Sequence, residues 1–462
     1  MISTPLAHSS NPLPSRRRFL RITGLAGAGA PLVLRSGLLS AAPNSRLNHA
    51  CIGVGGMGAG DLQNYLDHPK CQVVAVCDVD ANSLKAAAGR AKGARTYADW
   101  RELLAQEGDK IDSVNATVPD HTHFPISWSA INRGKHVYCQ KPMCHDVAEV
   151  RALTEAAARK GVVTQLGTQL ASGAGDLATV QWLRSGVIGK AKHVYLTANR
   201  PGAVENYRLL GPRPPKGEPP PANLNWDLWL GTAPERPFYP GIYHPTKWRA
   251  WLDFGTGWSG DIGCHIFDAV WKGLELQPPR EVVARVQDSW EKSPARRVDT
   301  WPQANHITWT FPGNARTADD TLKIEWFDGE FYPPEDIRRL YSDNLADYPA
   351  ESALIVGTEG ALLNTLGRTP VLLPEEKFKD ARRPVVQARN HYHHFIDACL
   401  GGPKTESHFG QAGPMTEAIL LGTIAVRTPG VKLAWDAPAM KIPNSMDASK
   451  LLKRTYRKGW EV

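Results

Sequence analysis

The chain has 462 residues, of which 42% are hydrophobic and 22% charged. That length exceeds what one hydrophobic core usually supports, and the composition excludes a disordered or low-complexity chain, so a globular protein of two domains is expected. Of the net charge of +8, six arginines lie in the first 46 residues, which hold no acid. About +2 remains for the rest, which makes no case for a nucleic-acid partner.

Those arginines organise the N-terminus. Ser15-Arg16-Arg17-Arg18-Phe19-Leu20 has the twin-arginine form of an export signal, residues 22–34 supply a mild apolar region, and Ser40-Ala41-Ala42 offers a small-residue cleavage site. The apolar run is too short for an ordinary membrane span. Residues 1–46 are therefore expected to be signal and linker, and the mature protein periplasmic. The twin-arginine route carries folded proteins, so a cytosolic nucleotide would be loaded before export and held tightly.

Residues 50–52 read as a short strand running into Gly53, Gly55 and Gly58, the G-x-G-x-x-G spacing, with a helix pattern over 57–66. Gly53 permits the tight turn, Gly55 lets backbone approach a pyrophosphate, and Gly58 lets helix and strand pack closely. With Gly56 and Met57, these residues would present helix N–H groups to the phosphates. A second strand over 72–76 is followed by Asp78, placed to accept hydrogen bonds from the adenosine ribose. Its charge repels a 2′-phosphate, a bias Asp80 adds to, so NAD is expected and NADP disfavoured.

Strand signals at 111–116, 136–139 and 162–165 alternate with helical ones at 99–106 and 146–159, the pattern of buried parallel strands with crossover helices over residues 47–170. Thr117 and Pro119 follow the third strand, on the carboxyl edge where nucleotides bind, and belong with the cofactor set. His121 and His123 come next. Their spacing suits a metal, but a cofactor-side, substrate-side or capping role fits the edge better. Gln140-Lys141-Pro142 follows the strand at 136–139 and falls on the same edge.

Residues 171–462 change character. A helix over 174–185 and a strand over 190–199 precede a proline-rich stretch, 201–245, too long for a simple connection and expected to form an ordered lid or subunit contact. Amphipathic strands at 282–290, 306–311, 322–327 and 353–356 suggest an open, mostly antiparallel sheet, and helices at 390–400 and 410–428 end the fold. Trp226, Trp229, Trp248, Trp251 and Trp258 cluster here with Tyr243 and Arg249. Rigid aromatic faces beside polar donors suit a sugar ring. Tyr243, Trp248, Arg249 and Trp258 are therefore candidate substrate contacts, with Trp251 near the pocket, while Trp226 and Trp229 read as core. His391, His393 and His394 read as a helix start with one substrate-facing ring rather than a metal site. The seven cysteines form no C-x-x-C pair and read as buried thiols.

In Gly257-Trp258-Ser259-Gly260-Asp261-Ile262-Gly263-Cys264-His265, Asp261 and His265 are i,i+4 neighbours if helical. Such a carboxylate can orient an imidazole that takes a hydroxyl proton while hydride leaves carbon, and the Lys141 ammonium can polarise the same oxygen.

The glycine turn, Thr-x-Pro segment, Lys-Pro pair and G-x-x-x-D-x-G-x-H-x-x-D helix together resemble the glucose–fructose oxidoreductase and inositol dehydrogenase (Gfo/Idh/MocA) family. The resemblance implies a Rossmann domain followed by an α/β domain whose open sheet makes a homo-oligomer, a dimer or tetramer. It implies a catalytic group of Lys141, Asp261 and His265. The family usually reads Glu-Lys-Pro; Gln140 departs from it and removes a carboxylate that would stabilise the protonated lysine. The expected activity is oxidation or reduction of a secondary hydroxyl of a sugar, polyol or glycoside. The alternative is NAD-dependent glycoside cleavage by transient oxidation and elimination, with no net redox.

Overall fold

The computed structural model describes residues 46–200, 216–329 and 331–462. The export signal expected at 15–34, its cleavage site and the first part of the proline-rich stretch lie outside the described residues. The rest belongs to one compact unit, residues 44–462.

Its first half is a six-stranded parallel sheet of β1 (Leu47–Ile52), β2 (Cys71–Cys77), β3 (Arg95–Tyr97), β4 (Ser113–Ala116), β5 (His136–Cys139) and β6 (Thr164–Leu166), in the order β3-β2-β1-β4-β5-β6. Nearly every residue of the central strands is buried on both faces, which is why they read as continuous apolar runs rather than alternating ones. The crossover helices are α1 (Met57–Asp67), α2 (Ala81–Arg90), α3 (Trp100–Glu107), α4 (Asp120–Asn132) and α5 (Val147–Lys160). Asp80, Asp99 and Asp146 cap α2, α3 and α5, each side chain accepting a backbone N–H from the first turn. The order reverses between β1 and β4, and that switch point opens a crevice at the carboxyl ends of the strands.

The second half is an eight-stranded mixed sheet. It comprises β7 (Ala191–Ala198), β8 (Glu281–Val286), β9 (Asn305–Pro312), β10 (Thr321–Asp328), β11 (Glu351–Gly357), β12 (Ala361–Thr365), β13 (Val371–Leu373) and β14 (Leu433–Ala434), ordered β13-β12-β11-β7-β10-β9-β8-β14. All its pairings are antiparallel except β7 with β10. The strand expected to run to residue 290 stops at Val286, and Trp290 falls in a short helix, Asp288–Glu291. Helices α6 (Ala174–Ser185), α7 (Gly257–Gly273) and α9 (Phe409–Arg427) gather beside this sheet, α7 against both others. Trp309 of β9 donates to Ala418 O at 2.8 Å, and its ring fills the space beside Gly422, where a Cβ would lie 2.4 Å away.

Two segments cross between the halves. Helix α8 (His391–Cys399) brings Tyr392, Phe395 and Ile396 onto Leu62, Tyr65 and Tyr138, completing one face of the first sheet from the far end of the chain. The described part of the proline-rich stretch folds against the β2 edge, where Asn225 N donates to Val79 O and Ala81 N to Asn223 O. All seven cysteines are free thiols, and all but Cys71 are buried.

Candidate active site

The glycine turn is too tight for any other residue. At Gly53, whose φ is +80°, a Cβ would lie 2.0 Å from Thr117 O, and at Gly58 it would lie 2.1 Å from Gly53 O. The first turn of α1 then carries no acid and no side-chain cap; Gly58 N and Ala59 N donate to Gly55 O and Gly56 O, which leaves the N–H groups at Gly56 and Met57 and the helix dipole to an anion. Gly56, with φ +47°, would have nothing within 4 Å of a Cβ, and Met57 stands exposed beside it.

Asp78 does more than the sequence suggests. Its Oδ2 accepts Val54 N at 2.8 Å and Gly55 N at 3.0 Å, so the same carboxylate holds the turn in place. Oδ1 takes Asp80 N at 2.9 Å and keeps acceptor capacity for a ribose hydroxyl. Burial raises the pKa of Asp78 against these three N–H donors. These residues fit NAD: the turn and the α1 N-terminus would hold its pyrophosphate, and Asp78 its adenosine ribose.

Behind the turn sits a carboxylate the sequence reading did not single out. Asp61 of α1 is fully buried and accepts Tyr392 OH at 2.6 Å, Thr117 Oγ1 at 2.7 Å and Gln140 Nε2 at 2.9 Å. Burial raises its pKa, and the three donors oppose that. Thr117 and Gln140, expected at the cofactor, thus spend their side chains on Asp61. Gln140 Oε1 faces its neighbour's Lys141 N at 3.3 Å. Periodicity carries a signal for Asp61, which shares a buried helix face with Gly58, Leu62 and Tyr65. Tyr392 has no local signal at all.

His123 also turns away from the crevice. Its Nδ1 lies 2.6 Å from Pro142 O and its Nε2 2.8 Å from Val118 O, tying the Lys141–Pro142 turn to the β4 edge beside Pro119. Burial outweighs both carbonyls and lowers its pKa to about 4. Its place is that of a brace, not of a cofactor contact.

Lys141 meets the second half of the chain here. Its Nζ lies 2.6 Å from Asp261 Oδ1 and 3.2 Å from Asp261 O, on the second turn of α7. Arg249 Nε approaches the other oxygen of Asp261 at 3.5 Å. The counter-charge that Gln140 does not supply to Lys141 is therefore supplied by Asp261. Two fixings aim α7. Trp258 Nε1 donates to Ala198 O at 2.8 Å, and Asp120 Oδ2 accepts Thr256 N at 3.1 Å and Thr256 Oγ1 at 2.9 Å. Asp120 is buried, and burial with the Asp261 charge raises its pKa.

His265 lies one turn beyond Asp261, partly buried. The expected hydrogen bond between them is not made: Asp261 is engaged by Lys141, and the buried Nδ1 of His265 has no partner among the described residues. Burial first, then the Lys141 ammonium, lowers the His265 pKa to about 3, with Asp261 opposing, so the ring is neutral.

Of the aromatic candidates, Tyr243 is wholly buried among Trp226, Trp229, Trp251 and Phe254, in a cluster that buttresses the site from behind. Trp251 lies in the same core, not near the pocket. Trp248 belongs to that cluster as well and Trp258 to the main core, but a guanidinium faces each ring: Arg249 stands 4.3 Å over the Trp248 ring and Arg200 5.4 Å over that of Trp258. Arg249 alone of this set reaches Asp261. His391 starts α8, but its ring is held by Ser172 Oγ at 2.7 Å and Leu166 O at 2.8 Å. His393 meets Asn64 O at 3.1 Å, and His394 accepts from Arg389 at 3.0 Å, so each of the three rings has a partner within the protein. Among the described residues no group of His, Cys, Asp or Glu is arranged to hold a metal ion.

Comparison with known proteins agrees with this geometry. Residues 47–168 match the NAD-binding Rossmann fold model of the GFO_IDH_MocA oxidoreductase family, and residues 180–312 match its C-terminal alpha/beta domain. An inositol 2-dehydrogenase of Rubrobacter xylanophilus is 28% identical over 148 residues, 32% of this chain and 42% of that protein. A glycosyl hydrolase family 109 protein of Saccharopolyspora erythraea is 31% identical over 172 residues, 32% of this chain and 37% of that one. The chain spans less than half the length of these curated relatives. The WlbA dehydrogenase of Bordetella pertussis, solved with NADH and UDP-GlcNAcA, shares the fold with a TM-score of 0.58 at 16% identity, covering 85% of this chain and 99% of that one. The chain belongs to the Gfo/Idh/MocA oxidoreductase family, and its residues 47–168 are that family's NAD-binding Rossmann fold.

Proposed function

We propose that this protein uses NAD to oxidise or reduce a secondary hydroxyl of a sugar, polyol or glycoside. The observation that carries the reading is the 2.6 Å contact of Lys141 Nζ with Asp261, formed where the carboxyl edge of the nucleotide sheet meets α7. NAD, when bound, supplies the hydride acceptor or donor. Lys141, Asp261 and His265 form the catalytic group. The Lys141 ammonium, oriented by Asp261, donates a hydrogen bond to the reacting oxygen. The neutral His265 ring accepts the hydroxyl proton, and Asp261 offsets the positive charge that burial makes costly there. Arg249, stacked on Trp248, orients the rest of the substrate.

The cofactor is held tightly, and the protein is exported to the periplasm by the twin-arginine route. The arginine and apolar pattern of residues 15–34 supports both. No described helix is long and apolar enough to cross a membrane. The open eight-stranded sheet supports a homo-oligomer, dimer or tetramer.

Similarity to a glycosyl hydrolase family 109 protein favours a second reading, glycoside cleavage with NAD recycled at the same site. One experiment separates them. Purified protein is offered a panel of sugars, polyols and aryl glycosides while bound-nicotinamide absorbance and aglycone release are followed together. Lasting absorbance change without release supports the first reading, release without net change supports the second, and neither with any compound rejects both. Changing Arg16 and Arg17 to Lys tests export, since it should trap the protein in the cytosol.

A further inference from the structure

A cavity of about 380 Å³ opens beyond the loop that carries Lys141, between the start of α5, residues 252–253, the C-terminal half of α9 and residues 450–455. None of Lys141, Asp261 or His265 lines it.

Its charges do not balance. Arg454 is engaged by Glu149 at 2.7 Å and by Asp146 at 3.6 Å, Asp253 is paired with Arg236, and Lys450 holds Asp447 at 2.8 Å. That leaves two cations lining the cavity, Arg427 and Lys453, for which no acid among the described residues is a partner. Arg427 is the final residue of α9 and is largely buried, and its guanidinium makes no hydrogen bond among the described residues. None of its nitrogens is closed off from solvent, so five N–H donors without a protein acceptor stand open to a ligand that enters the cavity. His145 cannot supply the missing negative charge or add to the positive. Burial and the two neighbouring arginines keep its ring neutral, with Nε2 2.9 Å from Leu252 O.

We propose that this cavity binds a small ligand bearing an anionic oxygen group, a carboxylate or a phosphate. Arg427 is the principal contact and Lys453 stands at the exposed rim. One wall is Trp301, whose Nε1 donates to Gly255 O at 2.8 Å and whose ring packs 3.0 Å from where a Cβ on Gly257 would lie. The site therefore abuts the start of α7 while sharing no residue with the catalytic group.

The test is titration calorimetry on the protein as purified, with its nucleotide retained, using inorganic phosphate, pyrophosphate and succinate as separate probes. At least one probe should bind with a Kd tighter than about 1 mM, and the tighter class identifies the group recognised. Arg427→Gln should weaken that binding about ten- to a hundredfold, the loss expected when a charged hydrogen-bond donor is removed. Lys453→Glu should weaken it severalfold, and neither variant should alter nucleotide content. Because Lys453 is exposed, its variant decides the matter if Arg427→Gln fails to fold. The proposal is overturned if no probe binds, or if the binding seen is the same in the folded variants, which would place the anion elsewhere.

Discussion

Replacing Gln140 by glutamate restores the residue usual in the family, yet the structure predicts that it damages this protein. Gln140 Nε2 donates to the buried carboxylate of Asp61 at 2.9 Å. A glutamate there would set two carboxylates at hydrogen-bond distance in a site closed to water, and such a pair avoids repulsion by keeping one proton. Holding a proton on a glutamate whose ordinary pKa is about 4.3 costs about 1.4 kcal/mol per pH unit above that value, or about 3.7 kcal/mol at pH 7. The protonated side chain of the Gln140→Glu variant could still donate to Asp61, so the titration is the main loss. The sign follows from proton counts: the folded pair holds more protons than the unfolded chain, so the variant loses stability as pH rises from about 4.3. The assay is the urea midpoint of wild type and variant between about pH 4.5 and 7.5, a window that starts at the ordinary glutamate value. The gap should be near zero at the acid end and widen steadily. Adding Asp61→Asn should recover most of it, since an amide can donate to the new carboxylate. Equal midpoints at the alkaline end, or a double variant no better than the single one, would refute the reasoning.

Asp78→Ala should lower nucleotide retention and thermal stability together, because Asp78 Oδ2 also holds Val54 N and Gly55 N; loss of nucleotide from an enzyme of unchanged Tm would separate the two roles. His265→Ala should slow single-turnover hydride transfer by about two to four orders of magnitude. Lys141→Ala and Asp261→Asn should each be damaging but less than additive together, because they share one contact; strict additivity in ln kcat would contradict that. His49, buried between Ser113 Oγ and Asn115 Oδ1, has its pKa lowered from 6.5 to about 3. The unfolded chain therefore takes up a proton there as pH falls below 6.5 and the native state does not. His49→Gln, which removes that titration, should gain relative to wild type by up to about 1.4 kcal/mol per pH unit across that window. A pH-independent difference between the two proteins would show that His49 is not held neutral.

Much of the molecule is legible in the chain itself. A parallel sheet buried on both faces leaves continuous apolar runs, and each of three crossover helices announces its start with a capping aspartate, Asp80, Asp99 or Asp146. The glycine spacing from Gly53 to Gly58 and the acid at Asp78 follow from one turn, and the i,i+4 placement of Asp261 and His265 follows from one helix. What sequence could not decide was which side chains at that edge face the crevice. Asp261 binds Lys141 rather than His265 because β5 and α7, 120 residues apart, converge there. Gln140 and Thr117 turn to Asp61, and His123 to the carbonyls of Val118 and Pro142, because buried polar groups must find partners and the nearest ones lie on α1 and on the loops after β4 and β5. Tyr243 and Trp251 read as sugar platforms but pack as core, since aromatic residues bury well and composition does not distinguish a wall from a buttress. Helix α8 closes a face of the first sheet from beyond residue 390, a contact set by burial of apolar surface across the whole unit. Local pattern determined the elements and the chemistry on offer; only long-range packing decided which groups are paired, which are neutral and which are left facing the cofactor.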